Sequence, residues 1–207
     1  MSLGAAQIDR YSRQIILPEV GGRGQERLLG ARVLLAGHDD AAVATTTLLG
    51  RAGVGTLHLV AGPASLPELS PDCRVERIAD GVPVPDADVF VDVRGGSTAA
   101  LGREAARHRR PLVLAVAHGA GGAVATLVGQ PCGACVPPDA LGVGGREPAS
   151  AGAAPAVVLA VGAVAAAEAL AILLGARPKG RVQRVDVGGG SAVALVGSGC
   201  ALCKADT

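Results

Sequence analysis

The sequence predicts an α/β domain built on a Rossmann-like, doubly wound, mostly parallel sheet. Short apolar runs of strand type alternate with segments of helical pattern along most of the chain, and this alternation is typical of parallel strands joined by right-handed crossovers. The 207 residues, 49% of them hydrophobic, suffice for one domain with a buried core. With 31 Gly, 40 Ala and only two aromatic residues, that core depends on small side chains and close backbone approach.

The elements follow in order along the chain. Residues 7–16 form a short amphipathic arm, and the run RVLLAG (Arg32–Gly37) is a strand that ends at a glycine. Asp39 and Asp40 then offer N-cap chemistry to a helix that runs to about Leu49. The alternating TLHLV (Thr56–Val60) is the second strand.

The middle of the chain continues the pattern. Residues 61–85 are proline-rich with little periodicity, which predicts a loop containing one short strand near 73–78. DVFVDV (Asp88–Val93) indicates a buried strand, residues 97–109 a helix, and PLVLAVA (Pro111–Ala117) the next strand. One more strand covers residues 123–128.

The last third combines a long apolar helix and a hairpin. Residues 156–174 are apolar except for Glu168, which is about the length of a bilayer span. Because Ala and Gly supply most of that hydrophobicity and an acid interrupts it, a buried core helix is favoured over a membrane span. Residues 181–196 predict a hairpin that turns at 188–190.

These elements predict a single domain in three parts. They are an N-terminal arm (1–30), a Rossmann-like core (31–128) and a C-terminal region with cysteine pairs, long helix and hairpin (129–207). A net charge of +1 offers no footprint for nucleic acid or an acidic membrane. Asp9, Arg10 and Arg13 interrupt the first twenty residues, so these residues are not a secretory signal, and we expect a cytoplasmic protein.

Four of the five cysteines fall into two C-x-x-C pairs. Cys132 and Cys135 lie in PCGAC, and Cys200 and Cys203 in GCALC. This is the ligand number and spacing of a structural zinc site, in which four thiolates close the metal's coordination shell and tie the C-terminal hairpin to the domain. Redox pairs and disulfides are the alternatives. Cys73 is left over, as a passive or a reactive thiol.

Several segments together resemble the ThiF/MoeB/HesA family, the bacterial relatives of ubiquitin-activating enzymes. They are RYSRQIILPEVGGRGQERLLGARVLLAG, RAGVGTLHLV, PLVLAVAHGAGGAV, the two cysteine pairs and GAVAAAEALAILLG, and they extend from about Arg10 to Cys203. The resemblance implies adenylation, with ATP and Mg²⁺, of the C-terminal glycine of a ubiquitin-like sulfur carrier. It also implies a dimer that packs the arm and the long helix against their mates.

The nucleotide-binding residues of the family are largely replaced. Its G-x-G-G-x-G loop corresponds to residues 37–42, where Gly37 alone matches and Asp39 and Asp40 follow. The ribose-binding acid corresponds to Ala61, and the asparagine, arginine and lysine that hold the triphosphate have no counterpart in the shortened residues 61–87. In the D-x-x-D-N turn that holds magnesium, Asp92 matches only the first acid.

Two further family residues have different outcomes. The reactive cysteine corresponds to a position near Ala149, and no thiol lies between Cys135 and Cys200. Arg13 matches the arginine that reaches across the family's two-fold interface into the neighbour's ATP site, and its alternative is an ordinary ion pair on the arm.

Three hypotheses follow for function. The first is an ATP-incompetent, zinc-binding pseudoenzyme that works as a homodimer, or as a heterodimer partner or scaffold beside an active homologue or a sulfur carrier. The second is an active adenylyltransferase in which Arg74, Arg77 or Arg94 replaces the lost cations. In the third, the cleft holds a different small ligand.

Overall fold

The computed structural model describes most of the chain. The described residues are 3–79, 82–94, 98–129, 132–133, 135, 141, 155–176, 180–186 and 191–194. The helices are α1 (Ala5–Arg10), α2 (Ser12–Ile15), α3 (Gly21–Gly30), α4 (Asp40–Arg51), α5 (Thr98–Arg107) and α6 (Pro155–Leu173). The strands are β1 (Arg32–Ala36), β2 (Thr56–Val60), β3 (Arg74–Ile78), β4 (Val89–Asp92), β5 (Leu112–His118), β6 (Gly121–Leu127), β7 (Arg181–Asp186) and β8 (Ser191–Ala194).

The eight strands form one sheet in the order β3-β2-β1-β4-β5-β6-β7-β8. The first five are parallel, and the last three are joined by antiparallel pairings. The order reverses direction at β1, so a crevice opens beyond the carboxyl ends of β1 and β4. The predicted Rossmann-like, mostly parallel α/β fold is therefore confirmed.

Helices cover both faces of the sheet. Val33 and Leu35 of β1 pack with α4 and α6, whereas Leu34 and Ala36 pack on the side that carries α5. This alternation follows from the two-residue period of a strand. Because both faces are buried, the central strands are mostly apolar, as their sequences predicted.

Helices α4 and α6 approach each other very closely. A Cβ at residue 162 would lie 2.6 Å from the Ala41 carbonyl oxygen and 3.0 Å from the Ala41 Cα. The Thr45 hydroxyl donates to the Ala41 carbonyl at 2.7 Å within α4 and also lies 3.0 Å from the Gly162 carbonyl oxygen of α6. Among the small residues of α6, Gly162 and Ala166 thus serve packing within the chain, while Ala163 and Ala167 are exposed.

Helix α6 is long and apolar enough to cross a membrane by length and composition. The mean hydropathy over 18 of its residues is 2.4, and half of those residues are buried inside the molecule. The buried half, which includes Val161 and Ala165, belongs to the core between α4 and the sheet. This is the placement predicted for a core helix.

One helix was not predicted. Residues 1–30 were expected to contain only the short arm, but α3 follows α1 and α2. Four of its ten residues are glycine, which disfavours a helix in isolation. Tertiary packing compensates, since Leu28 is 1% exposed and Gln25 is fully buried, where its side chain donates to the Ala52 carbonyl.

Replacing Gly162 with Ala tests the close contact between α4 and α6. Alanine normally favours a helix by about 1 kcal/mol, but here its Cβ meets backbone, and such overpacking typically costs about 1–3 kcal/mol. We expect Gly162→Ala to lower the melting temperature by several degrees. Gly22→Ala in α3 is the matched control, since no heavy atom lies within 4 Å of the added Cβ, and equal stability of the two variants would contradict the prediction.

Candidate functional site

The candidate site lies at the carboxyl ends of β1 and β4. Ala36, the last residue of β1, is paired with Asp92, the last residue of β4. Gly37 therefore follows β1 directly beside the end of β4. In open α/β sheets this edge, where the strand order reverses, is where ligands bind.

Asp39 occupies the start of helix α4. It adopts an extended N-cap conformation, and its Oδ1 accepts a hydrogen bond from the Ala42 backbone N–H at 3.1 Å. Asp40 is the acidic residue of the first helical turn. The N-terminus of α4, which in a nucleotide-binding domain faces a phosphate, is thus capped by the Asp39 carboxylate of the chain itself, as the sequence predicted.

Val93 packs over Gly37. Gly37 has a φ of +148°, which favours glycine, and a Cβ there would lie 2.5 Å from Val93 Cγ2. Val93 is 3% exposed. The one remaining glycine of the loop therefore accommodates an apolar side chain of the same domain.

Asp92 forms a closed ion pair with Arg94. Its Oδ1 accepts from the Arg94 backbone N–H and from Nε, both at 3.0 Å, and its Oδ2 accepts from Nη2 at 2.7 Å. The Asp92 side chain is fully buried. The only acid that matches the family's magnesium turn is thus neutralised by a neighbouring cation.

The N-terminal arm is anchored elsewhere, on the loop before β3. Tyr11 is 1% exposed, and its hydroxyl lies 2.5 Å from Ser70 Oγ and donates to Asp72 Oδ2 at 3.0 Å. Gln7 Nε2 and Arg10 Nη1 donate to the same carboxylate at 3.1 and 2.5 Å. We call these five residues the arm latch.

The arm latch favours an ionised Asp72. Burial raises the pKa of this carboxyl, but hydrogen bonds from Gln7 and Tyr11 and the charge of Arg10 outweigh burial and hold the pKa below its ordinary 3.8. Burial, and then the nearby Asp72, raise the pKa of Tyr11 above 10.0. This cluster was not predictable from local sequence, because the arm and the loop that it joins are some sixty residues apart.

Arg13 lies exposed on α2 and makes no hydrogen bond or ion pair with any residue that the structure describes. The alternative of an ordinary ion pair on the arm therefore finds no support among the described residues. Arg10, one turn earlier, is the arginine that pairs.

The arm latch lies at the amino ends of the parallel strands, and the candidate cleft lies at their carboxyl ends. Ser70 and Asp72 precede β3, and Tyr11 also contacts Gly53, which precedes β2. Gly37 and Asp92 stand at the carboxyl edge, and a five-residue strand separates the two edges by about 16 Å. The latch thus holds the arm away from the cleft of its own subunit.

Two arginines proposed to replace lost cations are also engaged. Arg74 begins β3 at the amino edge and pairs with Glu76 at 2.9 Å. Arg77 donates to the Ala64 carbonyl at 3.3 Å. Arg74 therefore lies at the wrong edge for a phosphate, and Arg94 is committed to Asp92.

The first cysteine pair forms a tight turn after β6. The Cys135 N–H donates to the Cys132 carbonyl at 2.9 Å, and the two sulfurs are 3.7 Å apart. That distance excludes a disulfide between them. Cys200 and Cys203 lie outside the described residues, and the described residues contain no group of three or more metal-binding side chains.

Cys73 is a passive thiol. It packs against the core on the α4 side, and burial raises the pKa of its thiol to about 11. Since the thiolate is the reactive form, this environment favours the structural interpretation of Cys73 over a reactive one.

Comparison with characterised proteins identifies the family. The vegetative HesA protein of Trichormus variabilis is 30% identical over 178 residues, covering 67% of this chain and 67% of that protein. The chain belongs to the ThiF/MoeB family. Two further members have higher identity over shorter stretches, and no family model matches the chain.

Those shorter matches involve larger proteins, of which this chain covers less than a quarter. The SAMP-activating enzyme E1 of Haloferax volcanii is 47% identical over 60 residues, 29% of this chain and 22% of that enzyme. The probable adenylyltransferase/sulfurtransferase MoeZ of Mycobacterium tuberculosis is 42% identical over 59 residues, 28% of this chain and 15% of that protein.

Solved structures agree with the ThiF/MoeB fold. The complex of Escherichia coli MccB with ATP superposes with a TM-score of 0.71 at 15% identity, covering 98% of this chain and 76% of that one. PaaA superposes with a TM-score of 0.66 at 15% identity, covering 93% and 75% of the two chains.

Asp72→Asn tests the arm latch of this ThiF/MoeB family chain. The change removes the charge that holds Arg10 and weakens the acceptor for Gln7 and Tyr11, so we expect amide hydrogen exchange over α1 and α2 to rise severalfold. Asp86→Asn is the matched control, since Asp86 also pairs with an arginine, Arg110, but lies outside the arm.

The arm latch also has a predicted pH dependence. Because the pKa of Asp72 is lowered on folding, the latch stabilises the arm fully above the unfolded pKa, near 4, and is lost as the pH falls through the lower folded value. Amide hydrogen exchange over the arm, corrected for the intrinsic pH dependence of exchange, should therefore increase below pH 4 in the wild type. In Asp72→Asn it should not change with pH. Equal pH profiles would contradict this assignment.

Proposed function

We propose that this chain is a zinc-stabilised member of the ThiF/MoeB family that does not use ATP in its own cleft. It acts as a dimer partner or scaffold in the activation of a ubiquitin-like sulfur carrier, and Arg13 serves the site of the partner subunit. The observation that carries the proposal is the start of α4, where Asp39 takes the place of a phosphate. The proposal places the protein in the cytoplasm.

The residues at the cleft do not fit a nucleoside triphosphate. The N-cap carboxylate repels phosphate, with one close charge pair worth about 1–4 kcal/mol. Val93 fills the space above Gly37, and Arg94 is held by Asp92. Ala61 has no side-chain acceptor for a ribose hydroxyl, so the described residues at these family positions supply binding groups for neither sugar nor phosphate.

The placement of Arg13 supports its action on a partner. A cation supplied from a neighbouring subunit stabilises charge without any other group of its own subunit. The arm latch holds the arm at the end of the sheet opposite its own cleft, and the Arg13 side chain makes no hydrogen bond or ion pair with the described residues that would compete with a partner. These features suit service in trans.

The strand topology supports a zinc site. Strands β6 and β8 are both antiparallel to β7, so they run in the same direction and end at the same edge of the sheet. Thr126 and Ala194 both pair with Arg181 in one row, and each cysteine pair begins at the sixth residue beyond that row. The two cysteine pairs thus follow, at equal distances in the sequence, two strands that end on the same side of the sheet.

The sulfur geometry of the first pair fits zinc. Tetrahedral thiolates about 2.3 Å from a zinc ion are about 3.8 Å from one another, and the Cys132 and Cys135 sulfurs are 3.7 Å apart. When bound, the zinc would be held by Cys132, Cys135, Cys200 and Cys203 and would cross-link the hairpin to the end of β6. It would leave no coordination position for catalysis.

The second candidate function is an active adenylyltransferase. Relatives named as adenylyltransferases and activating enzymes favour it, as does a guanidinium, Arg94, at the cleft. The first proposal is the stronger because that guanidinium is already paired with a buried carboxylate.

The zinc proposal predicts one zinc ion per chain in freshly prepared, reduced protein, measured by mass spectrometry of the metal. Cys132→Ser should lose the metal and most of the stability that it provides, which is about 10 kcal/mol or more in zinc-finger peptides. Cys73→Ser is the matched control and should retain the full equivalent. Well under one equivalent in the wild type would refute the proposed zinc site.

The trans role predicts two calorimetric and kinetic results. Mg-ATP titrated into the protein alone should give no binding heat. Mixed with an active homologue, the chain should form a heterodimer whose adenylation rate, followed as pyrophosphate release, falls by about 100-fold on Arg13→Ala.

Arg23→Ala is the control for that experiment, since Arg23 is an exposed arginine of α3. The rate should not respond to it. A micromolar dissociation constant for Mg-ATP would favour the adenylyltransferase alternative. A monomer at micromolar concentration, or a heterodimer indifferent to Arg13→Ala, would remove the trans role.

A further inference from the structure

The geometry points to Glu168 as the positioning residue that fixes one row of paired residues in the sheet, formed by Thr126 of β6, Arg181 of β7 and Ala194 of β8. Both cysteine pairs follow this row in the sequence, and we call it the departure row. This inference rests on the proposed zinc site for its consequence, while the contacts that carry it belong to the described fold. Glu168 is on α6, is 5% exposed, and is the only acid of that helix.

Glu168 binds side chains from two strands at once. Its Oε2 accepts a hydrogen bond from Thr126 Oγ on β6 at 2.6 Å. Its Oε1 accepts from Gln183 Nε2 on β7 at 2.6 Å, and also from Arg181 on β7. All three partners donate, so the buried carboxylate is satisfied only while β6, β7 and α6 keep their relative positions.

Two of those partners form the departure row itself. Thr126 pairs with Arg181 across β6 and β7, and Arg181 pairs with Ala194 across β7 and β8. Gln183, two residues along β7, points to the same face of the sheet. Glu168 therefore holds the middle strand, which sets where β8 lies relative to β6.

The pairing of β6 with β7 needs such a device. Strand β6 begins Gly121-Gly122-Ala123, and small side chains specify strand register weakly. A slip of β7 by two residues keeps every side chain on its face and moves the strand by about 7 Å. A displacement of that size would shift β8, the strand that precedes Cys200 in the sequence, relative to β6, the strand that precedes Cys132.

Thr126→Val and Glu168→Gln test the inference in the full-length protein. We expect zinc transfer to the chelator EDTA, followed by metal analysis of the retained protein, to become at least tenfold faster in both variants. Thr126→Ser keeps the hydroxyl and should restore the wild-type rate.

Thr45→Val is the matched control. Thr45, like Thr126, is fully buried, and its hydroxyl also binds α6, at the Gly162 carbonyl. This variant loses the same chemical group but leaves the departure row intact, so it should lower the melting temperature without changing the rate of zinc transfer beyond twofold.

Hydrogen exchange separates failure of this inference from failure of the zinc site. Whether or not the wild type holds zinc, Thr126→Val and Glu168→Gln should raise amide exchange in β7 and β8 at least tenfold and leave β1 and β2 unchanged. Zinc-free wild type with this exchange pattern would refute the metal site alone. Exchange that rises equally in Thr45→Val, or in none of the variants, would overturn the positioning role.

Discussion

The contact between α4 and α6 is the constraint on which the arrangement of the domain depends. At Ala41 and Gly162 the two backbones approach each other with only small side chains nearby. Helix α4 packs on β1 in the parallel half of the sheet, whereas α6 also packs on β5 and β6. With two aromatic residues in the whole chain, aromatic rings are scarce in the core, so packing depends on aliphatic side chains and on close backbone approach. Position 162 is accordingly less tolerant than its helical location suggests.

The fold was largely predictable because its strands are buried on both faces. In β1, RVLLA is a continuous apolar run after its first residue, which indicates a strand buried on both faces. The short strand predicted near residues 73–78 is also present, as β3. The missed helix, α3, shows the limit of such reasoning. Its glycines oppose a helix locally, and only the burial of Gln25 and Leu28 against other segments stabilises it. Information of that kind resides in tertiary contacts and not in local pattern.

In the candidate site, too, local sequence patterns predicted some residues, and only tertiary contacts revealed the others. Asp39 was predictable because an N-cap acts on residues three positions away, whereas the zinc site at the cysteine pairs, inferred from the short spacing of metal ligands, stays a prediction. The arm latch was not predictable, because Tyr11 and Asp72 are brought together by the docking of the arm. Glu168 was visible as an acid in an apolar helix, but its partners lie on strands on either side of that helix in sequence. Polar residues in apolar segments therefore mark positions where distant strands are joined.

The N-cap at Asp39 has a consequence for competition. A free anion that approaches the start of α4 must displace a carboxylate attached to the same backbone and therefore present at a high effective concentration. Dilution of the protein does not remove this competitor, because the carboxylate remains attached to the helix whose N-terminus it caps. Restoring glycines to the loop while Asp39 remains would leave this internal competitor in place, so regaining an anion site requires loss of an acid as well as gain of space.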